Sequence, residues 1–424
     1  MNAIILSIGD ELVLGQTVDT NSAWISVRLA SIGIRVIQHV TVADQLDSIS
    51  AAITAAATRC DLLIISGGLG PTADDVTRQA LGAAMHVDME LNAAWLGTIE
   101  RFFRERGREM PAINRIQAMI PRGATCIENT CGTAAGIAAT LAGPQGRACQ
   151  VYVVPGVPSE MKAMLDLSVM PRLAEATGGA TILSRVLNTF GVGESVIGQR
   201  LADLMDRGRN PSVGTTVSNG LVSVRINSMA ASRERAREML DQTVEACRDA
   251  LGDLIFGQDE DTLASAVGAL LMKNPGRPAQ VVTAESCTGG LLAKMLTDIP
   301  GSSRYVRGGW VTYANQSKIQ WLGVAADLIE KHGAVSEPVV IAMADGARRI
   351  ADVAYALAIS GVAGPDGGTP EKPVGTVCIA LAGPDGSRAL TYYFPGTRDW
   401  VRMRSALMAM SMLRYHLFGR EMPK

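Results

Sequence analysis

The sequence predicts an α/β protein with a three-layer αβα domain at each end and a smaller α+β domain between them. Short apolar strands alternate with helical stretches in the first segment and again from residue 262 onward. Such alternation predicts a parallel sheet covered by helices on both faces. Around residues 175–256 the pattern changes, and 424 residues are too many for one hydrophobic core. We therefore expect three domains, at 1–172, 173–256 and 260–424.

The composition is that of an ordinary globular protein. Hydrophobic residues make up 47% and charged residues 19%, and no apolar run is long enough to span a membrane. Because the net charge is only -2, we expect no strong binding to nucleic acid or to an anionic membrane. The first nine residues lack a basic region and predict a core strand, not a signal peptide. Seven cysteines without CxxC spacing favour a reducing, cytoplasmic location and argue against structural zinc.

The first domain is predicted from strands at 3–8, 34–42 and 61–65, with helices near 21–32 and 49–57. A glycine-rich loop at 66–75 (Ser-Gly-Gly-Leu-Gly-Pro-Thr-Ala-Asp-Asp) follows the third strand. Because ligands of parallel α/β sheets bind beyond the carboxyl ends of the strands, we expect this loop to bind a ligand. Its candidate substrate-binding residues are Gly67, Gly68, Gly70 and Thr72.

Carboxylates surround the same predicted strand ends. The candidate metal ligands are Asp10, Glu11, Asp44 and Asp75. Such oxygens suit Mg²⁺ or another hard divalent ion that bridges a pyrophosphate and activates water. The four dispersed histidines make a histidine-based metal site improbable. Aspartate also caps helices for purely local reasons, so spacing alone leaves both interpretations open.

The middle domain is predicted from 191–195 (Gly-Val-Gly-Glu-Ser), a helix that runs to Met205 and a strand at 221–226. A polar turn at 257–261 predicts a linker to the last domain.

A serine at a strand-to-helix turn carries the clearest catalytic pattern. Ser286 lies in 283–290 (Thr-Ala-Glu-Ser-Cys-Thr-Gly-Gly), between an apolar strand at 280–283 and a helical stretch at 290–296. There its hydroxyl is exposed, and the N–H groups of Thr288, Gly289 and Gly290 at the helix start are candidates to hold an oxyanion. The alternative is that Ser286 only caps the helix.

A second junction supplies a candidate base for that serine. An extended segment at 309–314 precedes a helix that Asn315 is expected to cap, and Lys318 falls in its first turn. A partly desolvated lysine near the positive end of a helix has a lowered pKa and can take the serine proton. Tyr313 is placed to relay the proton or to hold the lysine. The alternative is a solvated surface lysine.

A second glycine-rich loop, at 361–375, follows a predicted buried strand at 356–360. Backbone N–H groups of such a loop can bind a phosphate. The candidates are Gly361, Gly364, Gly367, Gly368 and Lys372. Arg398 and Arg402 share one face at the start of the final helix and are candidates for the same phosphate. A tight turn without a ligand and exposed surface arginines are the alternatives.

The segments 283–290, 311–318 (Val-Thr-Tyr-Ala-Asn-Gln-Ser-Lys), 333–339 and 360–376 resemble the CinA family, the competence/damage-inducible protein A group. The resemblance implies a C-terminal nicotinamide-nucleotide amidohydrolase domain that deamidates nicotinamide mononucleotide without a cofactor. Ser286 is then the nucleophile, with Lys318 and Tyr313 as its catalytic partners.

The N-terminal segments 8–15, 66–75 and 155–161 are similar to the molybdopterin-binding fold. In the CinA family this fold is linked to metal-dependent hydrolysis of ADP-ribose, which implies active-site roles for Asp44 and Asp75. Thr130 and Ala135 depart from the family pattern, which tends to have prolines there, and this puts the loop shape in question more than the chemistry.

The middle segment resembles a KH-type domain, but it has no clear Gly-x-x-Gly clamp, so we infer no RNA binding. Family resemblance alone implies a homodimer. Functions of other classes also stay open: a non-enzymatic scaffold connected with DNA uptake, or pterin binding by the first domain. The intact serine and lysine and the near-neutral charge oppose the scaffold.

Overall fold

A computed structural model describes residues 1–143, 146–273 and 278–422. The chain divides into two compact units, Met1–Ser184 with Asn227–Asp241, and Arg185–Ile226 with the described residues from Gln242 onward. Residues of the segment predicted as a middle domain belong to both units.

The first unit is built on a six-stranded sheet in the order β2-β1-β3-β8-β7-β6. Its strands and those of a small β4-β5 ribbon are β1 Asn2–Ile8, β2 Arg35–Val42, β3 Leu62–Ser66, β4 Met89–Leu91, β5 Met119–Pro121, β6 Thr125–Ile127, β7 Gly136–Ala142 and β8 Ala148–Val154. The accompanying helices are α1 Asp10–Val13, α2 Thr20–Ala30, α3 Leu46–Ala57, α4 Thr77–Met85, α5 Ala93–Arg104, α6 Pro158–Met164 and α7 Met170–Ala176. Strands β2, β1, β3 and β8 run parallel, whereas β7 pairs antiparallel with β8 and β6 pairs antiparallel with β7.

Strand β1 shows why this sheet is covered on both faces. Successive side chains of a strand point to opposite faces. Ile4 and Leu6 enter a core with helices α3 and α4, while Ala3 and Ile5 enter a second core with helices α2, α6 and α7. The predicted three-layer αβα arrangement is confirmed. The predicted ends of its first three strands and of the two helices between them lie within a few residues of the observed ends.

The middle segment contains β9 Thr181–Thr189, α8 Glu194–Arg200, β10 Ser212–Ser218, β11 Leu221–Ala230, α9 Arg233–Leu251 and β12 Ile255–Gln258. Its sheet has the order β10-β11-β9-β12.

Two predictions about this segment are wrong in detail. Helix α8 ends at Arg200, and only a short 3-10 turn at Ala202–Leu204 follows, so no helix runs to Met205. The polar turn predicted as a linker begins inside β12, because Gly257 and Gln258 pair with β9. The Gln258 N–H also donates to the Asp261 carboxylate at 2.9 Å, which closes a structured turn.

The C-terminal part is built on a five-stranded sheet in the order β14-β13-β15-β16-β17. Its elements are α10 Leu263–Leu271, β13 Val281–Glu285, α11 Leu291–Thr297, β14 Val306–Val311, α12 Asn315–Leu322, α13 Ala326–His332, α14 Glu337–Ala351, β15 Tyr355–Gly361, β16 Thr376–Gly383, β17 Gly386–Tyr393 and α15 Arg398–Leu417. Strands β14, β13 and β15 are parallel, so their carboxyl ends meet at one edge of the sheet.

Helices again cover both faces of this sheet. Val281 of β13 packs in a core with helices α10, α11 and α15, while Val282 and Ala284 pack against α12, α13 and α14. Helix α15 is buried on all sides from Ser405 to Tyr415.

Candidate active sites

A cleft of about 470 Å³ opens at the carboxyl ends of the parallel strands in the first unit. The predicted site residues that line it are Glu11, Asp44, Gly67, Gly68, Gly70 and Asp75. Asp10 and Thr72 are not part of this lining, although both are hydrogen-bonded to residues that are. Parallel strand order therefore brings most of the predicted residues together.

Asp75 shapes the glycine loop through both of its carboxylate oxygens. One oxygen accepts from the Gly70 N–H at 2.7 Å, and the other accepts from the Thr72 N–H at 2.9 Å and the Thr72 hydroxyl at 2.6 Å. A Cβ on Gly70 would lie 2.2 Å from the carboxylate, so only glycine fits beside it. Both Asp75 oxygens thus bind the loop, and its predicted role in metal binding and water activation stays a prediction.

Arg78, which the sequence reasoning missed, holds the same loop from the other side. Its side chain is only 1% exposed, and its guanidinium donates to the Leu69 carbonyl and, at 3.1 Å, to the Gly70 carbonyl. Burial lowers the pKa of Arg78 to about 10. The only signal in the sequence is one arginine early in a helix whose other residues are mostly apolar or small.

Asp44, which lines the cleft, is interlocked with Asp10 beside it. The Asp10 N–H donates to the Asp44 carboxylate at 2.8 Å, and the Asp44 N–H donates back to Asp10 at 3.1 Å. Burial, together with the negative charges of Asp10, Glu11 and Asp74, raises the pKa of Asp44. A divalent cation would relieve this accumulated charge, so the donor set fits one chemically. No group of three or more acidic, histidine or cysteine side chains in the described ranges is already arranged around a common metal position.

In the second unit, Lys318 and Ser286 meet at the carboxyl ends of β14 and β13. The Lys318 Nζ lies 3.1 Å from the Ser286 Oγ and also donates to the carbonyls of Thr312, at 2.9 Å, and Tyr313, at 3.4 Å. Lys318 is only 1% exposed, and burial lowers its pKa. The arrangement supplies a nucleophile and a base at hydrogen-bond distance. Ala314 is the N-cap of α12 and Asn315 is its first residue, so the predicted Asn315 cap is wrong.

Tyr313 contacts the lysine through its backbone and not through its hydroxyl. The Tyr313 hydroxyl instead accepts a hydrogen bond from the Arg398 guanidinium at 2.8 Å, and the side chain is 57% exposed. Of the two predicted roles, holding the lysine therefore belongs to the backbone carbonyl. The sequence could not show whether the carbonyl or the hydroxyl of Tyr313 contacts Lys318, because both groups belong to the same residue.

The turn after Ser286 differs from the predicted oxyanion site. The Gly289 N–H donates to the Ser286 carbonyl at 3.0 Å, and the Gly290 N–H donates to the Glu285 carboxylate at 3.0 Å. In the part of the chain that the structure describes, the N–H groups of Cys287 and Thr288 donate to no backbone or side-chain oxygen. Of the three predicted donors, only Thr288 stays available.

Cys287, directly after the nucleophile, is a buried thiol. Burial raises its pKa to about 12, so the thiol stays protonated at neutral pH. Because the thiolate and not the thiol attacks, Ser286 remains the better candidate nucleophile at this turn.

The second glycine loop follows β15 at the same sheet edge. Gly361 belongs to the strand, where it pairs with Val377, so the prediction that it lies in the loop is wrong. The N–H groups of Gly364, Gly367 and Gly368 donate to no group among the described residues, and those of the exposed Gly367 and Gly368 are available to an anion. The Lys372 Nζ anchors the loop by donating to the His332 carbonyl at 2.9 Å.

The two arginines of α15 contact different segments. Arg398 donates to the Gly364 carbonyl at 2.7 Å and thus contacts the second glycine loop. Arg402 donates twice to the Thr288 carbonyl, at 2.8 and 3.3 Å, and contacts the nucleophile turn. Arg402 thus contacts the nucleophile turn, and its predicted phosphate contact stays a prediction.

A competence-damage inducible protein of Symbiobacterium thermophilum is 42% identical to this chain over 430 residues, which cover 99% of both proteins. The chain belongs to the CinA family. A CinA-like protein of Geobacter sulfurreducens is also 42% identical, over 98% of this chain and 99% of the relative. The solved structure titled protein CinA with unknown function, from Thermoplasma acidophilum, is 33% identical, covers 41% of this chain and 97% of its own, and has a TM-score of 0.37.

Family models match three consecutive segments of this CinA family member. Residues 4–175 match a probable molybdopterin binding domain, 184–257 match the damage-inducible protein CinA KH domain, and 260–417 match the CinA C-terminal domain. The predicted family and fold class are confirmed. Among the helices that the structure describes, none combines the length and the apolar character needed to cross a membrane.

Proposed function

We propose that the C-terminal domain of this CinA family member hydrolyses the carboxamide of nicotinamide mononucleotide. The observation that carries the proposal is the 3.1 Å separation between the Lys318 Nζ and the Ser286 Oγ, with the lysine buried. The family resemblance supplies the substrate, and the geometry supports a serine amidohydrolase reaction of this kind.

Neutral Lys318 takes the Ser286 proton as the serine Oγ bonds to the carboxamide carbon. The carbonyl electron pair moves onto oxygen, where the N–H groups of Cys287 and Thr288 are available to stabilise it. Collapse of this intermediate breaks the carbon–nitrogen bond, and the lysine returns its proton to the departing ammonia. Water, activated by the same lysine, then hydrolyses the acyl-serine to nicotinic acid mononucleotide.

The second glycine loop supports the phosphate end of this substrate. Gly364, Gly367 and Gly368 present backbone N–H groups without partners among the described residues, and the half-buried Lys372 adds positive charge at the base of the loop. Strand β15 places this loop beside the nucleophile, since the Ser286 N–H donates to the Ile359 carbonyl at 2.9 Å.

Product analysis tests this proposal directly. The protein is incubated with nicotinamide mononucleotide, and ammonia and nicotinic acid mononucleotide are quantified for the unchanged chain and for Ser286→Ala. We expect stoichiometric release of both products, abolished by the substitution. Ammonia release that survives Ser286→Ala undiminished would overturn the assignment.

We also propose that the N-terminal domain hydrolyses ADP-ribose to AMP and ribose 5-phosphate with the help of a divalent metal ion. The supporting observation is the acidic group of Asp10, Glu11 and Asp44 at the cleft that the glycine loop lines. When bound, the ion would supply charge neutralisation at a pyrophosphate and an activated water. The chain contributes the three acids as candidate ligands and the loop backbone as a site for phosphate oxygens.

Competition and turnover experiments distinguish ADP-ribose hydrolysis from pterin binding and from a non-enzymatic scaffold. Metal-dependent formation of AMP from ADP-ribose supports the proposal. Binding of a molybdopterin compound that ADP-ribose does not displace, without turnover, would favour pterin binding instead. Salt-sensitive binding to DNA with no turnover of either nucleotide would favour a scaffold.

A further inference from the structure

Glu285 is a completely buried carboxylate next to the nucleophile, and it has no lysine or arginine partner among the described ion pairs. Both of its oxygens accept backbone N–H groups at the start of α11. One oxygen accepts from Gly290 and from Leu292, both at 3.0 Å, and the other accepts from Ala293 at 2.8 Å. Hydrogen bonds between backbone donors and an ionised carboxylate are short and stronger than neutral ones.

This carboxylate occupies the position at which a helix start would otherwise attract an anion. A substrate oxyanion cannot use the Gly290 N–H, because Glu285 already does. The carboxylate thus occupies the backbone N–H groups at the start of α11 and restrains the end of the turn.

Arg402 holds the middle of the same turn. Its Nε and Nη2 both donate to the Thr288 carbonyl, at 3.3 and 2.8 Å, and the arginine is half-buried on α15. A forked guanidinium with two bonds to one oxygen restrains the peptide plane that follows Thr288. The next N–H, that of Gly289, is directed to the Ser286 carbonyl at 3.0 Å.

We propose that Glu285 and Arg402 are positioning residues that hold the Ser286 turn at its end and at its middle, so that the Cys287 and Thr288 N–H groups remain as the oxyanion donors. Neither side chain touches the reacting atoms. Each acts by fixing the backbone that carries Ser286 and the Cys287 and Thr288 N–H groups. The inference rests on the proposed amidohydrolase reaction and names residues beyond the serine and lysine.

The test compares Glu285→Gln and Arg402→Lys with two matched controls. Glu285→Gln keeps the side-chain size but replaces one acceptor oxygen with a donor that opposes an N–H group. Arg402→Lys keeps the charge but loses the fork. The controls are Glu330→Gln and Arg349→Lys, both at exposed positions outside the site.

Two rates are measured for each full-length variant whose folding is verified by circular dichroism and thermal melting. The first is turnover of nicotinamide mononucleotide, resolved into kcat and KM. The second is covalent labelling of Ser286 by a fluorophosphonate, followed by mass spectrometry, with Ser286→Ala as the blank. The labelling rate reports the geometry of the turn without depending on the physiological substrate.

We expect both kcat and the labelling rate to fall by roughly 10- to 100-fold in each variant, because a preorganised oxyanion site is disturbed. We expect KM to change by less than about 3-fold and the pH midpoint of labelling to stay constant, because the Lys318 contacts are untouched. A purely structural role would lower the melting temperature and leave the rates of the folded protein unchanged. That result for Arg402→Lys would overturn the proposal, even if Glu285→Gln does not fold.

The experiment also separates this inference from the proposed function. Labelling of Ser286 without turnover of nicotinamide mononucleotide would refute the substrate, while the variant labelling rates would still decide the positioning roles. Absence of labelling in the unchanged protein would refute both.

Discussion

Asp75 and Arg78 hold the same glycine from opposite sides of its peptide backbone. The Asp75 carboxylate accepts a hydrogen bond from the Gly70 N–H at 2.7 Å, and the Arg78 guanidinium donates to the Gly70 carbonyl at 3.1 Å. Asp75 is a loop residue and Arg78 is buried in helix α4, so the loop is fixed to the helix that follows it. The loop shape therefore depends on two charges of opposite sign.

Replacing Asp75 with asparagine should weaken this loop. Asp75→Asn turns one acceptor oxygen into a donor and leaves loop N–H groups unpaired, so we expect the free energy of unfolding to fall by about 1–3 kcal/mol. We also expect KM for ADP-ribose to rise more than kcat falls. Denaturant unfolding and steady-state kinetics measure these effects, with the exposed Asp88→Asn as the control. Unchanged stability with kcat abolished would instead place Asp75 in the chemistry.

Asp44 should control metal binding in a pH-dependent way. Its pKa is raised by burial and by the neighbouring acids, so it gains a proton at a higher pH than an ordinary aspartate as the pH falls. We expect Mg²⁺ affinity, measured by calorimetry, to be lost on acidification through that raised pKa. Asp44→Asn should weaken binding at every pH, whereas the exposed Asp47→Asn should not. Equal affinity in Asp44→Asn and the unchanged chain would exclude Asp44 as a ligand.

The pairing of Ser286 with Lys318 could be predicted because each lies just beyond a strand, and neighbouring parallel strands end at one sheet edge. The role of Glu285 could not, because a lone acid beside a catalytic serine does not reveal whether its carboxylate faces solvent or a helix start. Helical spacing placed Arg398 and Arg402 on one face. It could not show that the first contacts the glycine loop and the second the nucleophile turn. Likewise, the position of Asp75 at the end of the glycine loop did not show that its carboxylate accepts hydrogen bonds from the loop backbone.

The reactivity of Ser286 should depend on pH in the way that Lys318 titrates. Because burial lowers the pKa of Lys318, the neutral base appears as the pH rises through a value below the ordinary 10.5. The rate of fluorophosphonate labelling should therefore increase with pH and then reach a plateau. Lys318→Met should reduce that rate by roughly 10²- to 10⁴-fold and remove the titration. The exposed Lys331→Met serves as the control, and a titration that persists in Lys318→Met would assign the base elsewhere.

Cys287 should be inert although it adjoins the nucleophile. Burial raises its pKa to about 12, so almost no thiolate exists at pH 8, and thiolate is the reactive species. Iodoacetamide at this pH should alkylate the exposed Cys131 first and leave turnover of nicotinamide mononucleotide unchanged. Peptide mapping with parallel activity assays gives the measurement. Inactivation that follows alkylation of Cys287 would argue for a thiol nucleophile.

Tyr313→Phe should affect the reaction far less than loss of Lys318. The substitution removes the hydroxyl that accepts from Arg398 at 2.8 Å but keeps the backbone carbonyl that accepts from Lys318. We therefore expect kcat to fall by less than ~10-fold and the pH midpoint of Ser286 labelling to stay in place, because the base keeps its contacts. KM should rise, since Arg398 also holds the Gly364 carbonyl of the second glycine loop. Tyr393→Phe, at an exposed tyrosine on β17, is the matched control. A fall in kcat as large as that of Lys318→Met would show that the Tyr313 hydroxyl takes part in proton transfer.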